Sequence, residues 1–345
     1  MTAPYRLFGL ELSPYSVKVR SYLRYKRIPH EWVVRHLGNM AEFQKHAKLP
    51  LIPLLLAPDG SAMQDSTPIL EALEERFPEP SIHPPDPAAA FLSALVEEYA
   101  DEWVNKAMFH YRWWYEPDQD SAAERIARWS LSEPAGFAGA PSEAVAKMSA
   151  ALKERMVPRL AFVGSNATTK PVIEASFERL VARLEAHFER RAYLFGARPA
   201  FADFGLWGQL YNLSTDPTPG AFLRARAPRA LAWIERMLAP SAQGDFEAWD
   251  ALAPTLEPLL RGEIAGAFLP WSVANALALA AGEGEFTVDL GGRPFTQQVQ
   301  KYHAKSLEAL RARYRAVPDR TRLDPILART GCLAWLRERE SAFGR

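Results

Sequence analysis

Among 345 residues there is a single cysteine, Cys332. One cysteine closes no internal disulfide and builds no thiolate zinc site, which excludes a disulfide scaffold and fits a reducing compartment. An excess of one charge is also missing, because 41 Lys+Arg offset 41 Asp+Glu. Nucleic-acid binders carry a basic surplus, so no nucleic-acid partner is expected. The start, Met1-Thr2-Ala3-Pro4-Tyr5-Arg6, lacks a basic stretch leading into an apolar core, so no signal peptide is expected and the chain is assigned to the cytoplasm. The seven histidines show no metal-ligand spacing, and no metal is expected. Gly282-Glu283-Gly284 lacks the third glycine and the preceding strand of a dinucleotide loop. Long apolar runs are scarce. The one candidate, Ile264 to Ala281, is uncharged over 18 residues but holds Pro270, Ser272, Asn275 and seven alanines. It reads as a buried helix broken near Pro270 rather than a membrane span.

What is present is an ordinary globular composition, 48% hydrophobic and 24% charged, long enough for about two domains. Residues 5–77 alternate strand and helix signals: strand, a helix from Ser13-Pro14 to about Arg27, strand 31–34, helix 40–48, strand 54–57, the turn Pro58-Asp59-Gly60, a short strand at 62–63 and a helix to Phe77. Five prolines within 78–87 mark a linker. Beyond it the pattern is helical, with a hairpin around Gly291-Gly292-Arg293 and an irregular tail after about Val317. The expected division is therefore 1–80, 88–240 and a C-terminal extension over 241–345. Charge is uneven: residues 1–48 hold nine Lys/Arg against three acids. Lys18, Arg20 and Arg24 are expected on a solvated side of the first helix, and Glu97, Glu98, Asp101 and Glu102 on another solvated face. The basic start also favours a small anionic ligand.

Three short elements are able to carry chemistry. Ser13 stands where a strand gives way to a helix. There it serves either as a simple N-cap or as a donor to an anion held at the positive helix end. A thiolate is stabilised at such a place. Ile52-Pro53 is either an edge marker or, with a cis bond, a segment whose Ile52 N–H and C=O pair with an extended peptide. Asp65-Ser66 caps a helix. It also suits the charged end of a peptide, with the carboxylate toward an ammonium and the Ser66 hydroxyl toward a carboxylate.

Ser13-Pro14-Tyr15-Ser16-Val17-Lys18-Val19-Arg20, then Leu51-Ile52-Pro53-Leu54, then Gln64-Asp65-Ser66-Thr67-Pro68-Ile69 resembles the N-terminal domain of the cytosolic glutathione S-transferases, and is most similar to the serine-using zeta and tau classes. The resemblance implies an α/β thioredoxin-like N-terminal domain over 1–80 followed by an all-α C-terminal domain. It implies glutathione as co-substrate, with Ser13 hydrogen-bonded to its sulfur, Ile52 and Pro53 at its cysteinyl backbone, and Asp65 and Ser66 at its γ-glutamyl end. The family places a basic or amide residue before the proline loop for the glycyl carboxylate. Pro50 and Leu51 stand there in this chain, and Lys48 or His46 is the substitute. The resemblance further implies a homodimer and a small-molecule electrophile lying against Tyr15, Tyr111 and Trp114, with no membrane partner. Trp103, Phe109, Tyr111, Trp113, Trp114 and Tyr115 crowd one segment, as pocket wall or as core. Arg198-Pro199-Ala200-Phe201-Ala202-Asp203-Phe204 is similar to the family's helix-capping box, except that Ala200 replaces the hydroxyl residue. The expected activity is conjugation of glutathione thiolate to an apolar electrophile. The alternative is a glutathione-binding protein of this fold with little turnover. Disulfide reduction is disfavoured, because it calls for a cysteine where Ser13 stands.

Overall fold

The computed structural model describes residues 3–132 and 139–337. Met1 and Thr2 of the leader reading, and 338–345 of the expected extension, lie outside the described residues. The chain opens with β1 (Tyr5–Gly9), α1 (Pro14–Tyr25), β2 (His30–Val34), α2 (Met40–His46), β3 (Leu54–Leu56), β4 (Ala62–Gln64) and α3 (Ser66–Arg76). The sheet order is β2-β1-β3-β4, with β1 parallel to β2 and antiparallel to β3, and β3 antiparallel to β4. This is the thioredoxin-like arrangement. Leu7, Phe8, Leu54 and Leu55 are fully buried on the two central strands, which explains why those strands are nearly continuous apolar runs.

The register decides what lies together. Gly9 pairs with Val34, Phe8 with Leu54, and Leu54 with Gln64. The carboxyl ends of β1, β2 and β4 and the start of β3 therefore share one edge of the sheet. The segments after Gly9, after Val34, before Leu54 and after Gln64 all leave from that edge.

α1 forms because Ser13 caps it and Pro14 suits its first position, and its Val17, Val19, Tyr22 and Leu23 are buried. Its basic residues depart from the solvated face expected of them. Lys18 and Arg20 are buried, Lys18 Nζ donating to Thr67 Oγ1 at 3.0 Å and Arg20 forking onto Glu11 at 2.7 Å on each arm. Arg24 alone of the three is exposed.

The rest is mainly helical: α4 (Pro87–Tyr99), a π-helical stretch Ala100–Val104, α5 (Asn105–Trp114), α6 (Glu116–Ser130), α7 (Glu143–Met156), α8 (Lys170–His187), α9 (Phe201–Thr215), α10 (Pro217–Arg226), α11 (Pro228–Arg236), α12 (Trp249–Leu259), a second π-helical stretch Leu260–Phe268 and α13 (Leu269–Ala280). The hairpin β5 (Glu285–Asp289) and β6 (Pro294–Gln298) follows, then α14 (Lys301–Ala316), α15 (Leu323–Arg329) and α16 (Leu333–Leu336). The tail expected to be irregular thus carries two short helices. Contacts group the chain into two units: Met1–Ile82 with Tyr111–Leu160 and Phe204–Ala242, and His83–His110 with Ala161–Asp203 and Gln243–Arg345.

In the second unit the helix is not broken at Pro270. The Leu269 N–H reaches back five residues to the Ile264 carbonyl, and this wider, π-type turn leads directly into α13, so the chain stays helical past Pro270 although that residue has no N–H to donate. Among the described residues, Trp249–Ala280 is long and apolar enough to cross a membrane by length and composition, and half of its most apolar window is buried. The acidic face of α4 is another departure. Glu97, Asp101 and Glu102 are buried, and α14 lies against them, with His303 bonded to Glu102 and Ser306 to Glu98. Burial and the neighbouring carboxylates push the Glu98 pKa well up. Asp203 accepts from the Ala200 and Leu194 N–H groups, each at 2.9 Å, and Ser93 on α4 accepts from the Ala202 N–H at 3.0 Å. A serine from another helix supplies the cap bond that Ala200 lacks. Lys106 is buried in an aromatic setting, Nζ 3.8 Å from the Trp271 ring centroid, and donates to Gln297 Oε1 of β6 at 2.7 Å and to the Val163 carbonyl at 3.2 Å. Burial lowers its pKa well below the usual lysine value. Cys332 is buried, and burial raises its thiol to about 11, as expected of an inert cysteine.

Candidate active site

Ser13, Ile52, Asp65 and Ser66 all leave the sheet at the shared edge, because each follows or precedes a strand end there. Ser13 Oγ accepts from the Ser16 N–H at 3.3 Å and from the Ser16 hydroxyl at 2.9 Å. Both bonds use its lone pairs. Its own proton stays available at the amino end of α1, where the N–H groups and helix dipole favour negative charge.

The Ile52-Pro53 bond is cis. The Ile52 side chain packs against the Phe8, Phe43, Leu54 and Leu56 cluster. Among the described residues, its N–H and carbonyl enter no backbone hydrogen bond outside the regular elements. The preceding loop is held by the Gln64 amide, which accepts from the Lys48 and Leu49 N–H groups and donates to the Leu49 and Leu51 carbonyls. Lys48 is thereby fixed at its backbone with its side chain exposed, and His46 ends α2, half-buried.

Asp65 has φ 76° and ψ 129°, a left-handed backbone that a non-glycine residue adopts at a cost. It is exposed, while Ser66, which opens α3, is only 1% exposed. The Ser66 hydroxyl is buried without a hydrogen-bond partner among the described residues. A buried hydroxyl left unpaired costs about 1–3 kcal/mol, so a carboxylate seated at the start of α3 would recover a bond already missing there.

Behind Ser13 lies a polar network that the sequence reading missed. Glu11 takes the two arms of Arg20 and the Tyr211 hydroxyl. Burial opposes the Glu11 charge, yet the Arg20 bonds outweigh it and hold the carboxyl below its usual pKa, while burial and Glu11 push Tyr211 up to about 12. Arg112 on α5 donates to the Leu12 carbonyl at 2.7 Å, to Asp216 at 2.9 Å and to Asn212 at 2.9 Å. The loop entering Ser13 is thus anchored through both its side chains and its main chain. α9 runs close by, since a Cβ on Gly208 would stand 2.5 Å from the Pro14 carbonyl oxygen. The only available sequence signal was Arg112 itself, one cation amid an aromatic run.

Of the expected apolar wall, Tyr111 is buried and stacks on Tyr115 at 5.9 Å, whereas Tyr15 and Trp114 are half-buried. Trp103 and Trp113 are core residues.

The family models "Glutathione S-transferase, N-terminal domain" and "Glutathione S-transferase, C-terminal domain" match residues 7–81 and 143–236. The chain is 28% identical over 126 residues to the rice (Oryza sativa subsp. japonica) protein "Probable glutathione S-transferase GSTU6", covering 34% of this chain and 52% of that protein. It is 31% identical over 102 residues to a probable glutathione S-transferase of Solanum tuberosum, covering 29% and 46%. The chain therefore spans about half the length of the curated relatives it matches. A solved glutathione S-transferase of Methylobacterium radiotolerans, in complex with glutathione sulfonate, is 23% identical, with 71% of this chain and 99% of that one covered and a TM-score of 0.42. With residues 7–81 and 143–236 matched by the N- and C-terminal domain models of one family, the comparisons support a place for this chain among the cytosolic glutathione S-transferases.

Proposed function

We propose that this chain binds glutathione at the carboxyl end of β1, ionises its thiol there and transfers it to an apolar electrophile. The Ser13 hydroxyl carries the reading: it accepts twice from Ser16 and keeps its proton for an anion at the amino end of α1. A hydrogen bond to a charged sulfur contributes about 1.5–3 kcal/mol. One pKa unit is about 1.36 kcal/mol, so the bond takes a thiol of about 8.5 to near 7. The nucleophile is then substantially ionised at neutral pH.

The remaining residues bind and orient. The Ile52 N–H and C=O pair with the cysteinyl backbone as an added strand would. Asp65 meets the γ-glutamyl ammonium, and Ser66 with the start of α3 meets its carboxylate. Lys48 or His46 takes the glycyl carboxylate. Tyr15, Tyr111 and Trp114 face the electrophile. The working form is a cytoplasmic homodimer, a reading supported by Leu49 and Leu51, 57% and 61% exposed on the loop that Gln64 pins.

A second reading, glutathione binding with little turnover, draws on Leu51, an exposed apolar residue where the family carries a cation or amide. Wild type and Ser13→Ala, assayed side by side on a panel of electrophiles with glutathione affinity measured in parallel, separate the two. Transfer predicts a ten- to hundredfold lower kcat/KM in the variant, the rate equivalent of the hydrogen bond lost. Equal inactivity of both with glutathione still bound selects the second reading. Absence of glutathione binding removes both.

A further inference from the structure

Within the second unit, α14 lies along α4, and the seam between them changes character along its length. Leu307, Leu310 and Tyr314 are spaced three or four apart on one face of α14 and are buried, with the Tyr314 ring edge-on to Phe91 of α4 at 5.8 Å. That half of the seam is apolar. The other half is acidic on the α4 side. Glu97, Glu98, Asp101 and Glu102 fall at the end of α4 and in the π-helical stretch that continues it, and Glu97, Asp101 and Glu102 are buried. From α14 the Ser306 hydroxyl donates to Glu98 and the His303 ring meets Glu102.

Carboxylates crowded together away from water cannot all ionise at ordinary pH. Glu98 shows the effect: burial raises its pKa most, then Glu102, Glu97 and Asp101, and together they outweigh the pull of Arg313 from α14. Arg313 also lies 6.0 Å from the Phe201 ring centroid. His303 is charged only when protonated. Lys106, on the next turn, acts on Glu102 but bonds to Gln297 and the Val163 carbonyl. Glu263, on the second π-helical stretch that also packs on α4, is taken by Arg179 and Ser176.

We propose that α14 is latched onto α4 by a proton kept within this carboxylate cluster, so that the helix is seated at acidic and neutral pH and loosens as the proton leaves. A neutral Glu98 sits under α14 without needing a cation, whereas an ionised one adds a further charge where water is largely shut out. Once α14 lifts, Glu98 returns to water and to an ordinary carboxylate pKa. The seated form therefore holds the proton more tightly than the open form. Seating is strongest below the ordinary value and weakens steadily as pH rises toward the raised one. Loss of the His303 proton acts in the same direction, because a neutral imidazole no longer pairs with the Glu102 charge, so the test has to separate the two groups. The inference concerns the C-terminal extension and stands independently of how glutathione is held.

The test is amide hydrogen exchange of the full-length chain, resolved by peptide and expressed as protection relative to the unstructured rate at each pH. Wild type, Glu98→Gln and His303→Gln are compared at about pH 6 and about pH 8.5, after thermal melts establish that each is folded. In wild type, protection over Lys301–Ala316 is expected to fall at least about tenfold between the two, while that over α8 holds. Glu98→Gln is expected to keep its protection at both, and His303→Gln to retain most of the fall. Equal protection of α14 in wild type at the two pH values overturns the proposal, and this comparison needs no variant. So does an equal loss over α8, which would make the opening general to the unit. A fall that persists in folded Glu98→Gln, or that His303→Gln alone abolishes, also overturns it.

Discussion

The Ser16 hydroxyl donates to the Ser13 hydroxyl across 2.9 Å, and the Ser16 N–H donates to the same oxygen at 3.3 Å. Incoming hydrogen bonds polarise a hydroxyl and make it a better donor in turn. Ser16→Ala therefore weakens the bond that Ser13 offers without removing it. The pKa of bound glutathione, read from the pH–rate profile of conjugation, is expected to rise by less than about one unit, against one to two for Ser13→Ala. A Ser16→Ala profile as displaced as that of Ser13→Ala would place the donor on Ser16 instead.

Ser66 offers a test in which binding and stability diverge. Its hydroxyl is buried without a partner, so Ser66→Ala removes a group that costs the unliganded protein about 1–3 kcal/mol. The melting temperature without ligand should hold or rise, while the glutathione Kd rises about tenfold, roughly 1.4 kcal/mol. A lower melting temperature together with unchanged affinity would assign the hydroxyl a purely structural part.

Arg112 and Asp216 form a buried ion pair that also holds the Leu12 carbonyl. Arg112→Met leaves Asp216 buried with only the longer 3.6 Å contact to Arg125, and removal of one partner from such a pair costs about 3–5 kcal/mol. Burial already pushes the Asp216 carboxyl up against the pull of Arg112. Denaturant titration should show Arg112→Met with Asp216→Leu regaining part of the stability that Arg112→Met loses. No recovery in the double variant would mean that the Leu12 and Asn212 bonds, rather than the charge pair, dominate.

His187 sets a pH dependence in the second unit. Burial, aided by the charge on Arg191, lowers its pKa to about 4, and among the described residues its buried Nε2 has no hydrogen-bond partner. The unfolded chain takes up this proton near pH 6.5, whereas the folded chain holds it off until about pH 4. The histidine's contribution is therefore complete above pH 6.5 and declines as pH falls toward 4, by about 1.36 kcal/mol per unit and about 3 kcal/mol in all. His187→Asn retains a donor for Thr255 and removes the titration, so unfolding free energy should fall less steeply from pH 6.5 to 4. Parallel curves for wild type and variant would contradict this.

Much of the first 80 residues was legible because its signals are local. Ser13-Pro14 announces a capped helix, Pro58-Asp59-Gly60 a turn, and the places of the strands along the chain follow from where apolar runs stop. The fates of the charged residues were not legible, because their partners lie far away in sequence. Lys18 meets Thr67 49 residues on, Arg112 meets Leu12 100 residues back, and Glu98 meets Ser306 208 residues on. A charge run reads as solvated until the element that covers it is known. Ser93 in place of a hydroxyl at Ala200 shows a cap bond moved to another helix, which a motif read along the chain misses.

Lys106, sealed against Trp271 and tied to Gln297, is out of reach of amine-acylating reagents that find the exposed Lys45, Lys48 and Lys147 at once. It becomes open to acylation only when the aromatic cover parts. Mass-resolved labelling at this one position therefore times the opening of the second unit, with the surface lysines as an internal clock.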